Sequence, residues 1–117
     1  ANLQSNSYSL IVKRAINYIE QNYTNPNLSQ KNVARFLGVS QNYLSSLFKK
    51  ELNVNFIDYI NNLRISKSCT LLKETNMKIF EVSEAVGFSN TSYFVRLFKK
   101  NMGISPKDYR YKNVITL

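Results

Sequence analysis

Two clusters of side chains in this sequence could do recognition chemistry. Wound as a helix at 100° per residue, the segment 41–52 places Asn42, Ser45, Ser46 and Lys49 within roughly 100° of arc. Ser92, Val95, Arg96 and Lys99 fall together in the same way on the segment 90–102. Short polar or compact residues followed by a cation let a helix approach base edges near its start and reach phosphate near its end. Val95 is an apolar residue on a face expected to be solvated, which suits contact with a thymine methyl. Catalytic chemistry is poorly supplied by comparison. There is no His, Cys69 is the single thiol, and the three glycines form no phosphate-cradling loop. No metal site or cofactor is expected.

These clusters lie inside a repeated unit. Tyr43-Leu44-Ser45-Ser46-Leu47-Phe48-Lys49-Lys50 returns as Tyr93-Phe94-Val95-Arg96-Leu97-Phe98-Lys99-Lys100. Upstream, Val33 and Gly38-Val39-Ser40 answer Val82 and Gly87-Phe88-Ser89, so the second copy holds one extra residue between Gly87 and Tyr93. Two copies of one supersecondary unit in a short chain form a tandem, and the function belongs to the unit.

The periodicity throughout is helical. Val12, Ala15, Ile16, Ile19 and Tyr23 mark a first helix that ends before Asn25-Pro26. Ser29 is the expected N-cap of a short second helix that Gly38 ends in the left-handed conformation. Ser40 and Asn90 are the expected N-caps of the two helices that carry the clusters. Leu44, Leu47 and Phe48, with Phe94, Leu97 and Phe98 in the second copy, are expected in the core. A long helix runs from Phe56 to about Lys73, a second helix–turn–helix occupies 78–102, and Pro106 opens a last short helix with Ser105 as cap. The fold is all-α, with subdomains expected over 8–55 and 74–113 and a linker helix over 56–73.

Composition restricts the partner. Sixteen Lys and Arg against seven acids give a net charge of +9, which favours a polyanion. From Val39 to Lys50 there are two basic residues and no acid, and from Phe88 to Lys100 three and no acid. Both faces therefore suit nucleic acid better than a merely solvated surface does. The eight Tyr and seven Phe could serve base stacking, but most lie at core spacing; Tyr43 and Tyr93 sit laterally on their helices. No run approaches eighteen apolar residues and no leader opens the chain, so no membrane span is expected. A lone Cys69, read as inert packing, fits a reducing cytoplasm. The start at Ala1 rather than Met is expected of a processed chain or of a piece cut from a longer protein, the latter being favoured.

The stretch Gly87-Phe88-Ser89, Ser92-Tyr93-Phe94, Arg96, Phe98-Lys99-Lys100, Gly103, Ser105-Pro106 and Tyr109-Arg110 resembles the signature of AraC/XylS-type transcription regulators. Val33-Ala34, Gly38-Val39-Ser40, Tyr43-Leu44, Leu47-Phe48-Lys49-Lys50 and Arg64-Ile65 are similar to the other half of that pattern. The resemblance spans about Ile11 to Arg110. It implies a seven-helix domain of two homeodomain-like helix–turn–helix subdomains, whose recognition helices enter successive major-groove segments of double-stranded DNA.

By the same resemblance Gln41, Asn42, Ser45 and Ser46 would contact bases in the first unit, and Asn90, Thr91, Ser92, Val95 and Arg96 in the second. Lys49, Lys50, Lys99 and Lys100 would lie near phosphate. Ser46 stands where the family often has Arg. Asn53 and Phe56 stand where the second copy has Gly103 and Pro106. Further implications are a bacterial activator that contacts RNA polymerase, and an N-terminal regulatory or receiver domain preceding this one. A reading of another class is a helical interaction module whose basic faces dock an acidic protein.

Overall fold

The structure is a computed structural model, and it describes residues 7–115, with the side chains of Val114 and Ile115 left aside. Among the described residues there are seven helices and no strand: α1 Leu10–Asn22, α2 Gln30–Leu37, α3 Gln41–Leu52, α4 Phe56–Glu74, α5 Ile79–Ala85, α6 Thr91–Met102 and α7 Pro106–Ile115. The chain divides into two compact units. The first holds 7–22 and 27–60, and the second holds 23–26 and 61–115.

Local chemistry sets most helix ends. Ser29, in extended conformation, accepts the Asn32 N–H at 3.2 Å, while Asn32 Oδ1 accepts the Ser29 N–H at 2.6 Å. That reciprocal pair satisfies two of the donors a helix start leaves open. At the far end Gly38 sits at φ 72°, and the N–H groups of Gly38 and Val39 bond to the carbonyls of Arg35 and Ala34. The second copy repeats this pattern: Gly87 and Phe88 donate to Glu84 and Ser83. Asn53 takes the left-handed cap at φ 54° that Gly103 takes at φ 82°. Phe56, where the second copy has Pro106, opens α4 behind Asn55, whose Oδ1 accepts the Ile57 N–H at 2.8 Å. Pro106 opens α7 behind Ser105, whose Oγ accepts the Asp108 N–H at 3.1 Å.

In the first unit α1, α2 and α3 pack on one another. Its buried residues are Val12, Ala15 and Ile19 from α1, Val33, Ala34 and Leu37 from α2, Leu44 and Phe48 from α3, and Phe56 and Ile60 from the start of α4. The Phe48 ring meets Phe56 at 4.8 Å and the edge of Tyr59 at 5.5 Å. Glu51 Oε1 accepts the Ser9 N–H at 2.7 Å.

The second unit buries Ile65, Leu72, Val82, Val86, Phe88, Phe94 and Phe98 together. Successive ring contacts at 5.3, 5.8 and 5.5 Å link Phe88, Phe94, Phe98 and Tyr109. Each of the three buried Phe rings contributes roughly 1.5–3 kcal/mol by leaving water. Arg110 Nε donates to the Leu72 carbonyl at 3.0 Å, which ties α7 to α4. Cys69 lies half-buried against this core, and burial pushes its thiol up from the ordinary value. Leu47 and Leu97, expected in the core, are only half-buried, because the fully buried stripe of each helix narrows to one residue per turn.

Candidate nucleic-acid interface

Each cluster-bearing helix starts from a tight turn and a side-chain cap. Ser40 Oγ accepts the Tyr43 N–H at 3.1 Å, and Asn90 Oδ1 accepts the Tyr93 N–H at 2.9 Å. The extra residue of the second copy lies in the turn itself, so Phe88 and Ser89 precede Asn90 where Val39 alone precedes Ser40. Replacing Ser40 or Asn90 with Ala should each cost about 1 kcal/mol. Urea unfolding of the two variants checks this, and a loss below about 0.3 kcal/mol would show that the cap bonds are not holding the helix starts. In the first unit Gln30 Nε2 also donates to the Gln41 carbonyl at 2.8 Å, tying α2 to the start of α3.

Two buried residues rotate each helix. Leu44 and Phe48 anchor α3, and Phe94 and Phe98 anchor α6, each pair one turn apart. The opposite face of α3 therefore presents Gln41, Asn42, Ser46, Lys49 and Lys50 to solvent, with Ser45 half-buried. The opposite face of α6 presents Ser92, Arg96, Lys99 and Lys100, with Asn90 exposed at its cap and Thr91 half-buried. The Asn90 carbonyl oxygen is committed to the cap, so its amide NH₂ is the part left to face outward.

Val95 does not lie on the solvated face. Expected clear of the core on a solvated face, it is half-buried and packs against the second unit's hydrophobic cluster. At 100° per residue Val95 and Leu97 lie about 80° to either side of the midline between Phe94 and Phe98, and both are half-buried on the flanks of the core.

The linker helix contributes two buried polar residues, Asn61 and Arg64, to which the sequence assigns no role beyond the place of Arg64 in the family pattern. Arg64 is 7% exposed, and its Nε and Nη2 donate at 2.9 Å to the carbonyls of Tyr23 and Asn25. Its guanidinium carbon lies 5.6 Å from the centre of the Phe88 ring. Burial pushes this guanidinium below its ordinary value, with the nearby Tyr93 phenol acting the other way. Asn61, one turn earlier and 8% exposed, donates from Nδ2 to Tyr93 Oη at 3.1 Å. A signal existed: Arg64 interrupts a buried stripe of Ile60, Arg64, Ser68 and Leu72 at intervals of four.

Among the described residues no three His, Cys, Asp or Glu side chains gather as ligands, and no helix is long and apolar enough to cross a membrane. Two capped, basic helices, each following a glycine turn, define a tandem helix–turn–helix protein. The sequence matches the helix-turn-helix domain family over residues 33–112. It is 35% identical over 99 residues to the arabinose operon regulatory protein of Escherichia coli, covering 85% of this chain and 34% of that protein. The C-terminal domain of AraT, a response regulator from Geobacillus stearothermophilus, has a TM-score of 0.88 at 40% identity, over 91% of this chain and 88% of the other. The C-terminal domain of the two-component response regulator yesN from Fusobacterium nucleatum has a TM-score of 0.83 at 37% identity, over 87% and 99%. The chain belongs to the AraC family of transcription regulators, as a helix-turn-helix DNA-binding domain. It spans 38% of the length of one curated relative from Escherichia coli and 11% of one from Bacillus subtilis.

Proposed function

We propose that this domain recognises double-stranded DNA by sequence, with α3 and α6 each laid in a major-groove segment. The observation that carries the reading is the pair of acid-free basic faces, each aimed outward by a capped helix start and two buried anchors. Base contacts fall to Gln41, Asn42, Ser45 and Ser46 on α3, and to Asn90, Thr91, Ser92 and Arg96 at the start of and along α6. Val95 adds at most the methyl edge its half-burial leaves open. Lys49, Lys50, Lys99 and Lys100 lie where cations meet phosphate. Arg96 is the strongest single reader, since a guanidinium fork pairs bidentately with guanine O6 and N7. Ser46, at the matching place on α3, makes a shorter and less selective contact. The subdomains are 8–55 and 74–113, bridged by 56–73, and no catalysis is assigned.

The parent protein is a bacterial activator acting in the cytoplasm and touching RNA polymerase, with a regulatory or receiver domain ahead of this one. Support for the last point comes from AraT and the Fusobacterium yesN, both described as response regulators of which the matching part is the C-terminal domain.

A mobility-shift series on the Arg96→Ala and Lys99→Ala variants tests the face assignment. Arg96→Ala should relax base preference at one position, at a cost of about 1–3 kcal/mol. Lys99→Ala should weaken all sequences alike and reduce the salt slope by about 1. Uniform loss in both, with base preference unchanged, would contradict the assignment.

A further inference from the structure

Asn61 and Arg64 are buried polar side chains that the proposed DNA contacts do not use, and they lie three residues apart on one face of α4. A buried amide is retained at a cost unless it is hydrogen-bonded. Here its partner is a residue of the reading helix itself: Asn61 Nδ2 donates to Tyr93 Oη at 3.1 Å. Tyr93 lies between Ser92 and Arg96, and its ring meets the edge of Phe88 at 6.0 Å. Phe88 is in turn covered by the Arg64 guanidinium, which is fixed at the Tyr23 and Asn25 carbonyls.

Ring packing alone leaves a helix some freedom to roll about its axis, because apolar contact is not directional. A hydrogen bond weakens steeply once its distance and angle drift. The difference matters for readout. A roll of about 20° moves a side-chain tip roughly 8 Å from the helix axis by about 3 Å, enough to break a bidentate base contact. Tyr43 and Tyr93 are comparably exposed, at 51% and 40%, and the hydrogen bond is what separates them: among the described residues the Tyr43 hydroxyl has no counterpart of the Asn61 bond.

We propose that Asn61 is a positioning residue that sets the roll of α6 through Tyr93, while Arg64 fixes the turn leading into it. The second recognition helix is thereby held ready for sharp base discrimination, and the first is not. This rests on the DNA-reading function proposed above.

The test is competitive binding of the 117-residue chain to a panel of duplexes mutated at each position of its selected site, with thermal unfolding in parallel. Tyr93→Phe and Asn61→Leu should each lower discrimination about fivefold or more at the positions read by α6, and leave those read by α3 unchanged. Tyr43→Phe should leave base preference unchanged throughout. The double variant Tyr93→Phe, Asn61→Leu removes both polar partners, so it should recover the melting temperature of the parent chain while base preference stays relaxed. Single variants that keep the parental base preference would overturn the proposal. A double variant that recovers discrimination together with stability would overturn it too. A parent chain that selects no sequence would instead remove the DNA-reading function on which the proposal stands.

Discussion

Gly87→Ala is expected to destabilise the second unit by about 3 kcal/mol or more, while Gly38→Ala at the matching place in the first copy should cost only about 1–2 kcal/mol. The two glycines occupy the same turn and make the same pattern of backbone bonds. Both have positive φ, 72° at Gly38 and 103° at Gly87, so each substitution carries a backbone penalty. What separates them is space. A Cβ on Gly38 would meet nothing within 4 Å, whereas one on Gly87 would collide with the Tyr23 carbonyl oxygen and lie 2.8 Å from Arg64 Nε. Neither neighbour yields easily, because the carbonyl accepts the Arg64 hydrogen bond and Arg64 is buried against Phe88. Relieving the clash would break that bond and leave a buried guanidinium donor without its partner, adding to the loss. Urea midpoints for the two variants decide the matter. Equal losses would mean that the Arg64 bracket does not confine the turn.

DNA binding should weaken by about a hundredfold between 50 and 200 mM monovalent salt. Four lysines at the ends of α3 and α6, Lys49, Lys50, Lys99 and Lys100, are all exposed. If each neutralises one phosphate, log K falls against log salt with a slope of about −3.6. The net charge of +9 makes a shallower slope unexpected. A titration with a slope near zero would require contacts that displace no counterions, and would move the interface away from these lysines.

Much of this was legible in the chain because it is written locally. Ser29, Ser40, Asn90 and Ser105 each cap through a backbone N–H three residues on, so the spacing alone exposes them. Gly38 and Gly87 close their helices through bonds within five residues. The anchors Leu44, Phe48, Phe94 and Phe98 are visible as a repeat because both units need the same core.

The unread part spans long separations. Arg64 reaches carbonyls 41 and 39 residues away, and Asn61 reaches a phenol 32 residues away; periodicity carries no such information. An arginine in a helix is by default a solvated residue, and only its place on the buried stripe with Ile60, Ser68 and Leu72 betrays it. Val95 was misplaced for a different reason: it lies as close to the Phe94–Phe98 midline as Leu97 does, but the outward cluster of Ser92, Arg96 and Lys99 drew it to the solvated face. Ser45, at the matching place on α3, is half-buried too, so the proposed faces differ mainly at Gln41 and Asn42 against Thr91 and Ser92, at Ser46 against Arg96, and at the additional turn residue before Asn90.

The central claim is that one chain reads DNA through two helix–turn–helix units. Selection of binding sites from random duplexes at moderate salt tests it most directly. Two enriched blocks about one helical turn apart are expected, the block read by α6 being the sharper. A single block, or no enrichment over sequence-blind binding, would contradict it.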